Sequence, residues 1–430
     1  MDDLKRAGLR LTEEERGILH GEQGPAVQRA MEIVVALGRI YGASHLVPVA
    51  SVQVAGVSYK NLGEAGLSFL QEWADEGARV RVPTTLNPAG MDTARWRVLG
   101  FPEEFARQQE RVIEAYARMG IRATCTCTPY LVGNEPSFGQ HVAWAESSAV
   151  CFVNSVLGAR TNREGGPSAL AAAICGRTAA YGLHLDQGRR ARFRVEVRCQ
   201  LRTLSDWGVL GYIVGQQVRN AVPYFVLSEQ QPALPEPDAP GTDVGVDRLK
   251  ALGAGLAASG AVALYHVHGI TPEARRGDVV AQDAERIVVD DLESGYRALN
   301  GRARHIDLVS IGCPHASPRE LREIARAVSG QHLQAALWVT TAREIRERMV
   351  AEVSAIEAAG GQVVADTCMI VAPIERLGFR VLATNSAKMA TYAPSHSGLQ
   401  VRIGDLEQCV EAAVTGSWPA AKASPRRHPT

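Results

Sequence analysis

The stretch IDLVSIGCPHASPRELREIARAVSGQHLQAALWVTTAREIRERMVAEVSAIEAAGGQVVADTCM, residues 306–369, decides the fold class. IDLVSIG is an apolar run closed by glycine and reads as a buried strand. In SPRELREIARAVSG, Ser317 and Glu320 have capping-box spacing and Pro318 suits the first helical position, so a helix begins there. LQAALWV reads as the next strand and TAREIRERMVAEVSAIEAAG as a helix with a second box at Thr341 and Glu344. QVVAD then gives a third strand. Such alternation builds parallel sheets covered by helices.

The pattern extends toward the N-terminus. HLVPVASVQVAGV (45–57) reads as strand, LGEAGLSFLQEWADEG (62–77) as helix and ARVRVPTTLN (78–87) as strand. FPEEFARQQERVIEAYARMG (101–120) is a helix with Pro102 near its first turn, followed by a short strand, IRATC. The expected fold is therefore α/β, with several three-layer lobes of largely parallel sheet around a central cleft. QQPALPEPDAPGTD (230–243) contains four prolines and no periodicity, and reads as a linker or exposed loop. It divides an N-terminal α/β region, 1–229, from a C-terminal one, 244–405. Residues 406–430 read as a terminal helix and a disordered tail.

Composition excludes several functions. Lys+Arg and Asp+Glu are 46 each, so no net field favours nucleic acid or an anionic membrane. No apolar run approaches the roughly 20 residues of a membrane span, and the N-terminus lacks a signal-peptide h-region. A cytoplasmic location is expected. Eight cysteines in a chain of this size are not a disulfide framework. Cys151, Cys175, Cys199 and Cys409 sit in apolar text and read as core residues.

Three cysteines read differently. Cys127 follows IRAT, Cys313 follows IDLVSIG and Cys368 follows QVVAD, so each falls just beyond a predicted strand end. Open α/β sheets bind ligands at such ends. Three thiolates converging there could hold an iron–sulfur cluster or zinc. The competing reading is three unrelated core thiols, since no CxxC pair is present. Cys125 shares a strand face with Cys127, and at this level either could be the ligand. Thr84, Thr85, Asn87 and Asp92 form either a polar turn or a substrate wall. The same choice applies to Asn154, Ser155, Arg160, Thr161 and Glu164, which surround glycines, and to Ser386 and Lys388 at a candidate turn. His266 and His268 alternate along a strand and line a pocket or pack. Phosphate-loop, HExxH and GxSxG motifs are missing.

Taken together, the phrases resemble the large subunit of the aconitase X family. They are VAGVSYKNLGEAGLSFL, VPTTLNPAGMD, TCTPYLVGNEPSFGQHVAWAESSAVCFVNSVLGARTNREGG, HVHGITPEA, IGCPHASPREL, ADTCMIVAP and TNSAKMATYAP, and they span about residues 45–400. The resemblance implies an aconitase-like fold without the swivel domain, and a hydro-lyase removing water from a small hydroxy acid. Characterised members dehydrate cis-3-hydroxy-L-proline or (R)-5-phosphomevalonate. The Ala/Arg-rich text favours the amino-acid substrate, with phosphomevalonate as the alternative. A non-catalytic cluster- or zinc-binding subunit is the reading from another class. The family pattern implies Cys127, Cys313 and Cys368 as ligands of an iron–sulfur cluster, [4Fe-4S] or [2Fe-2S], with one iron left open as Lewis acid. It also implies Lys388, Ser386 and Glu146 in catalysis, and Thr84, Asn87, Asn154, Ser155, Arg160, Thr161 and His315 in substrate binding. Gln53 stands where the family pattern suggests His. A separate small swivel subunit supplying a Ser base is the expected partner.

Overall fold

The computed structural model describes residues 8–228 and 243–420. The Pro-rich stretch up to residue 242 and the tail from residue 421 lie outside the described residues. Among the described residues, three parallel sheets form three α/β lobes, as the alternation predicts. In the first lobe the strand order is Thr84–Leu86, Val52–Val54, Ala143–Trp144. A two-stranded antiparallel ribbon, Leu46–Pro48 with Arg177–Ala179, flanks it. The second lobe orders His266–Val267, Pro223–Leu227, Ala191–Val197 and Val280–Val289. The third orders Gln362–Val364, Ala336–Thr340, Leu308–Ile311, Val381–Thr384 and Gln400–Ile403.

The domain boundary expected at 230–243 is not where the sheets divide. Pro223–Leu227 and His266–Val267, on either side of it, pair in one sheet. The divisions fall instead between Arg177–Ala179 and Ala191–Val197, and between Val280–Val289 and Leu308–Ile311.

Local signals in the decisive stretch hold with one exception. Ser317 and Glu320 close a reciprocal capping box on helix Pro318–Val328. Thr341 does not cap the next helix, which starts at Arg343 after Ala342. Its hydroxyl donates instead to the Ala316 carbonyl at 2.7 Å, tying two strand-end loops together. IRATC contributes a single parallel bridge, Thr85 to Arg122, rather than a strand.

One apolar cluster takes residues from all three lobes, beside clusters centred on the first and third. Trp144 of the first lobe, Trp207 and Phe225 of the second, and Leu308 and Leu382 of the third belong to it, each contributing roughly 1.5–3 kcal/mol by burial. In the second lobe, helices Leu204–Val218 and Asp243–Gly260 touch backbone to backbone. A Cβ on Gly255 would lie 2.1 Å from the Gly208 carbonyl oxygen, so neither helix can carry a side chain at that crossing. With residues of all three sheets in this cluster, their strand-end loops are held near each other.

Candidate functional site

Cys313 lies two residues beyond Leu308–Ile311, in the turn Gly312-Cys313-Pro314-His315. Gly312 has φ +97°, and a Cβ there would fall 2.1 Å from the Thr340 carbonyl oxygen; only glycine lets the turn lie so close to the neighbouring strand. Cys368 follows Gln362–Val364, after Asp366 in a left-handed conformation at φ 59°. Cys127 comes from the first lobe, in the irregular run after the Arg122 bridge. Loops from two lobes thus bring the three thiols together.

His315 fastens these loops. It is fully buried. Its N–H donates to Cys127 Sγ at 3.2 Å, Nδ1 pairs with Thr126 Oγ1 at 2.9 Å, and Nε2 with the Thr367 carbonyl at 2.8 Å. The carbonyl can only accept, so Nε2 carries the proton and Nδ1 accepts from Thr126. Burial pushes the ring down to about 4, so it stays neutral. The substrate-binding role expected of His315 is therefore not what the structure shows: both ring nitrogens are occupied and it holds the cysteine loops. Gln53 adds to the same fastening, its Nε2 donating to the Thr126 carbonyl at 3.0 Å.

The thiols differ electrostatically. Cys313 and Cys368 are electrostatic neighbours, and the adjoining thiol and the nearby charge of Lys388 lower Cys368 against the opposing effect of burial. Cys313 is held well above its usual range by the neighbouring thiol and by burial. Burial and the Glu146 charge push Cys127 up to about 12. Cys125, by contrast, has φ 42° and is influenced by Asp366 and Arg343 rather than by the other thiols, which separates it from Cys127. All eight cysteines are free. No group of three or more His, Cys, Asp or Glu among the described residues is set to hold a single metal ion. Three thiols brought together from two lobes are the donor type that an iron–sulfur cluster uses.

Beside the thiols lies a buried ion pair. Glu146 caps helix Ser147–Phe152, accepting from Ala149 N–H at 2.6 Å and Ser148 Oγ at 2.7 Å. Lys388, on helix Ala387–Ser397, reaches the Glu146 carboxylate and lies 3.0 Å from Ser148 Oγ. Burial opposes both charges, but the pairing prevails: Glu146 is held below the usual carboxylate range and Lys388 above the usual ammonium range. A carboxylate with this many donors is a poor base. Glu146 positions Lys388, whose fixed positive charge faces Cys127 and Cys313. Ser386 caps the same helix through Met389 N–H and donates to the Cys313 carbonyl, so its hydroxyl is committed to the frame.

Other expected site residues divide. Asn87 is partly exposed and its Oδ1 has no partner, leaving an acceptor at the first-lobe strand end. Thr84 bonds to the Val82 carbonyl at 2.8 Å. Asn154 and Thr161 bond mutually, and Ser155 accepts from Tyr265 N–H at 2.9 Å; these residues build the frame. Arg160 turns to the His184 carbonyl at 3.0 Å and to exposed Asp186, away from the thiols. Sequence reasoning missed the buried arginine that matters here. Arg189 binds Glu273, both the side chain and carbonyl of Asn154, and the Leu183 and Ala159 carbonyls. It also missed Arg343, which pairs with Asp92 at 3.1 Å and with Asp366, clasping the first lobe to the Cys368 loop. Neither has a local signal, because each partner is distant in sequence.

Family models for the first, second and third domains of aconitase X match residues 8–187, 191–296 and 306–415. The chain is 50% identical to the phosphomevalonate dehydratase large subunit of Methanothermobacter thermautotrophicus, covering 91% of this chain and 95% of that one. It is 48% identical to the same-named protein of Methanocaldococcus jannaschii, over 93% and 99%. With cis-3-hydroxy-L-proline dehydratase of Pseudomonas aeruginosa identity is 37%, over 96% of this chain but 71% of that protein. The crystal structure of Thermococcus kodakaraensis aconitase X in its holo-form superposes with a TM-score of 0.85 at 45% identity, over 94% and 100% of the two chains. The chain belongs to the aconitase X family of hydro-lyases.

Proposed function

We propose that the chain is the large subunit of a phosphomevalonate dehydratase, carrying an iron–sulfur cluster on Cys127, Cys313 and Cys368 and acting in the cytoplasm. One observation carries the choice of substrate. Identity to proteins named phosphomevalonate dehydratase large subunit reaches 50% with 95% of their length covered, against 37% and 71% for a hydroxyproline dehydratase. This replaces the hydroxyproline preference drawn from composition, because Ala and Arg content reports nothing about the site.

The bound cluster would supply Lewis acidity for the departing hydroxyl through an iron without a protein ligand. The chain's own residues do the rest. Lys388 presents a fixed charge to the substrate carboxylate, which makes the adjacent carbon-bound proton more acidic. Glu146 keeps Lys388 in place, and Asn87 offers a free acceptor for orientation. The hydroxyls of Ser386 and Ser155 are committed to the frame, which supports a base supplied by a separate small subunit. The test is a dehydration assay with phosphomevalonate and cis-3-hydroxy-L-proline, run on the cluster-loaded chain with and without its small subunit. Turnover of phosphomevalonate by the pair and not by the chain alone is expected. Exclusive turnover of hydroxyproline, or full turnover by the chain alone, would overturn the reading.

A further inference from the structure

Gln109 is a polar side chain fully buried on helix Glu103–Arg118, among the residues that helix turns inward. Its Oε1 accepts from the Tyr59 N–H at 3.0 Å and from the Gly90 N–H at 2.9 Å. Its Nε2 donates to the Val57 carbonyl at 2.8 Å. Two donors on one side and an acceptor on the other admit a single orientation of the amide. The partners lie in two first-lobe segments, the loop leading into helix Tyr59–Asp75 and the loop after strand Thr84–Leu86. These meet closely: a Cβ on Gly90 would fall 2.7 Å from Ser58 Oγ and 2.9 Å from Gln109 Oε1.

The same two segments grip Cys368 from both sides. Before the cysteine, the Ala89 N–H donates to the Asp366 carbonyl at 2.7 Å, and Thr367 Oγ1 donates to the Ala89 carbonyl at 3.0 Å. After it, Ser58 Oγ donates to the Val371 carbonyl at 2.7 Å and Lys60 Nζ to the Ala372 carbonyl at 3.1 Å. The N–H groups of Val371 and Ala372 donate in turn to the Cys368 carbonyl, at 3.1 and 2.9 Å. Ser58 stands at the N-cap of helix Tyr59–Asp75 yet makes no side-chain cap there. Its hydroxyl goes to the third lobe, and Gln109 takes the Tyr59 N–H. Cys368 thus belongs to the third lobe by sequence and is located by the first.

Resting on the assignment of Cys368 to the cluster, we propose that Gln109 is a positioning residue for Cys368. Its amide fixes two loops against each other, and the loops fix the thiol's segment at both ends. Asn87 rides on the same loop as Gly90, so its free acceptor and the Cys368 thiol are held in one frame.

The test uses the anaerobically prepared, cluster-loaded full chain, read by visible circular dichroism and by the rate of iron release to a ferrous chelator. Gln109→Met is of similar size and loses all three bonds; it should alter the dichroism and speed iron release by about tenfold. Gln109→Glu keeps an acceptor for both N–H groups and should stay within about threefold of the parent. Ser58→Ala loses one bond, should speed release by about threefold, and answers the question if Gln109→Met does not fold. Cys409→Ala, which trims the third-lobe core away from the thiols, should leave both readouts at the parent's values. Parent-like dichroism and release in Gln109→Met and Ser58→Ala would overturn the proposal, as would an equal acceleration in Cys409→Ala. A parent without cluster absorption would instead remove the ligand assignment of Cys368, and the parent alone tells the two failures apart.

Discussion

Lys388 and Glu146, 242 residues apart in sequence, form a buried ion pair beside the three convergent thiols. The pair joins a third-lobe helix to a first-lobe helix at the point where the strand-end loops meet. Its value lies in where it fixes the positive charge, since burying two ions costs nearly what their attraction returns.

Removing one partner alone is therefore severe. Lys388→Met should destabilise the protein by roughly 3–5 kcal/mol, because Glu146 is left buried and charged. Lys388→Met/Glu146→Gln should recover much of that stability without recovering activity. Thermal melts alongside kcat measurements separate the two effects. Recovery of activity in the double variant would show that the charge has no part in the chemistry.

Cys313→Ala should remove visible absorption and dehydratase activity together, because the other two thiols cannot retain a cluster. Cys409→Ala, buried in the third-lobe core, should leave both nearly intact. Absorption spectra of anaerobically prepared protein and a dehydration assay make the comparison. Equal losses in the two variants would mean general destabilisation.

The two arginines make opposite predictions. Arg160 is partnered by exposed Asp186, and such a pair contributes about 0–1 kcal/mol; Arg160→Lys should leave kcat and KM within about twofold. Arg189→Lys removes a buried fork with five hydrogen bonds. It should cost at least about 2 kcal/mol, read from the denaturant midpoint. A KM effect at Arg160 would restore it to the substrate site.

Acid should expose His184. Burial, then the charges of His141, Arg189 and Arg160, lower it from 6.5 to about 3. The unfolded chain takes up this proton near 6.5 while the folded chain resists it until about 3. Its contribution to stability is thus complete above pH 6.5 and is lost progressively as pH falls toward 3. Melting temperatures between pH 4 and 7 should fall less steeply in His184→Gln than in the parent. Parallel curves would remove His184 from the acid response.

Legibility in the sequence followed the range of the interactions. Strand alternation and the Ser317–Glu320 box depend on neighbours within a turn or two, and they appear as read. The strand-end positions of Cys313 and Cys368 follow from the same local pattern. Cys127 does not, since its loop is held by His315 and Gln53 rather than by a preceding strand. Residues read as substrate contacts, Asn154 and Thr161 among them, are polar because buried backbone around Gly158 needs partners. Polar density looks the same in both cases until the partners are seen. Arg343 and Arg189 were invisible because their carboxylates come from elsewhere in the chain.

The hydrogen bonds of His315 also bear on how a displacement travels. Its contacts with Thr126, Cys127 and Thr367 join a first-lobe loop to two third-lobe loops through one residue whose ring is neutral. A shift of any one of these loops is therefore passed to the other two, and the three segments that carry Cys127, Cys313 and Cys368 move as a unit.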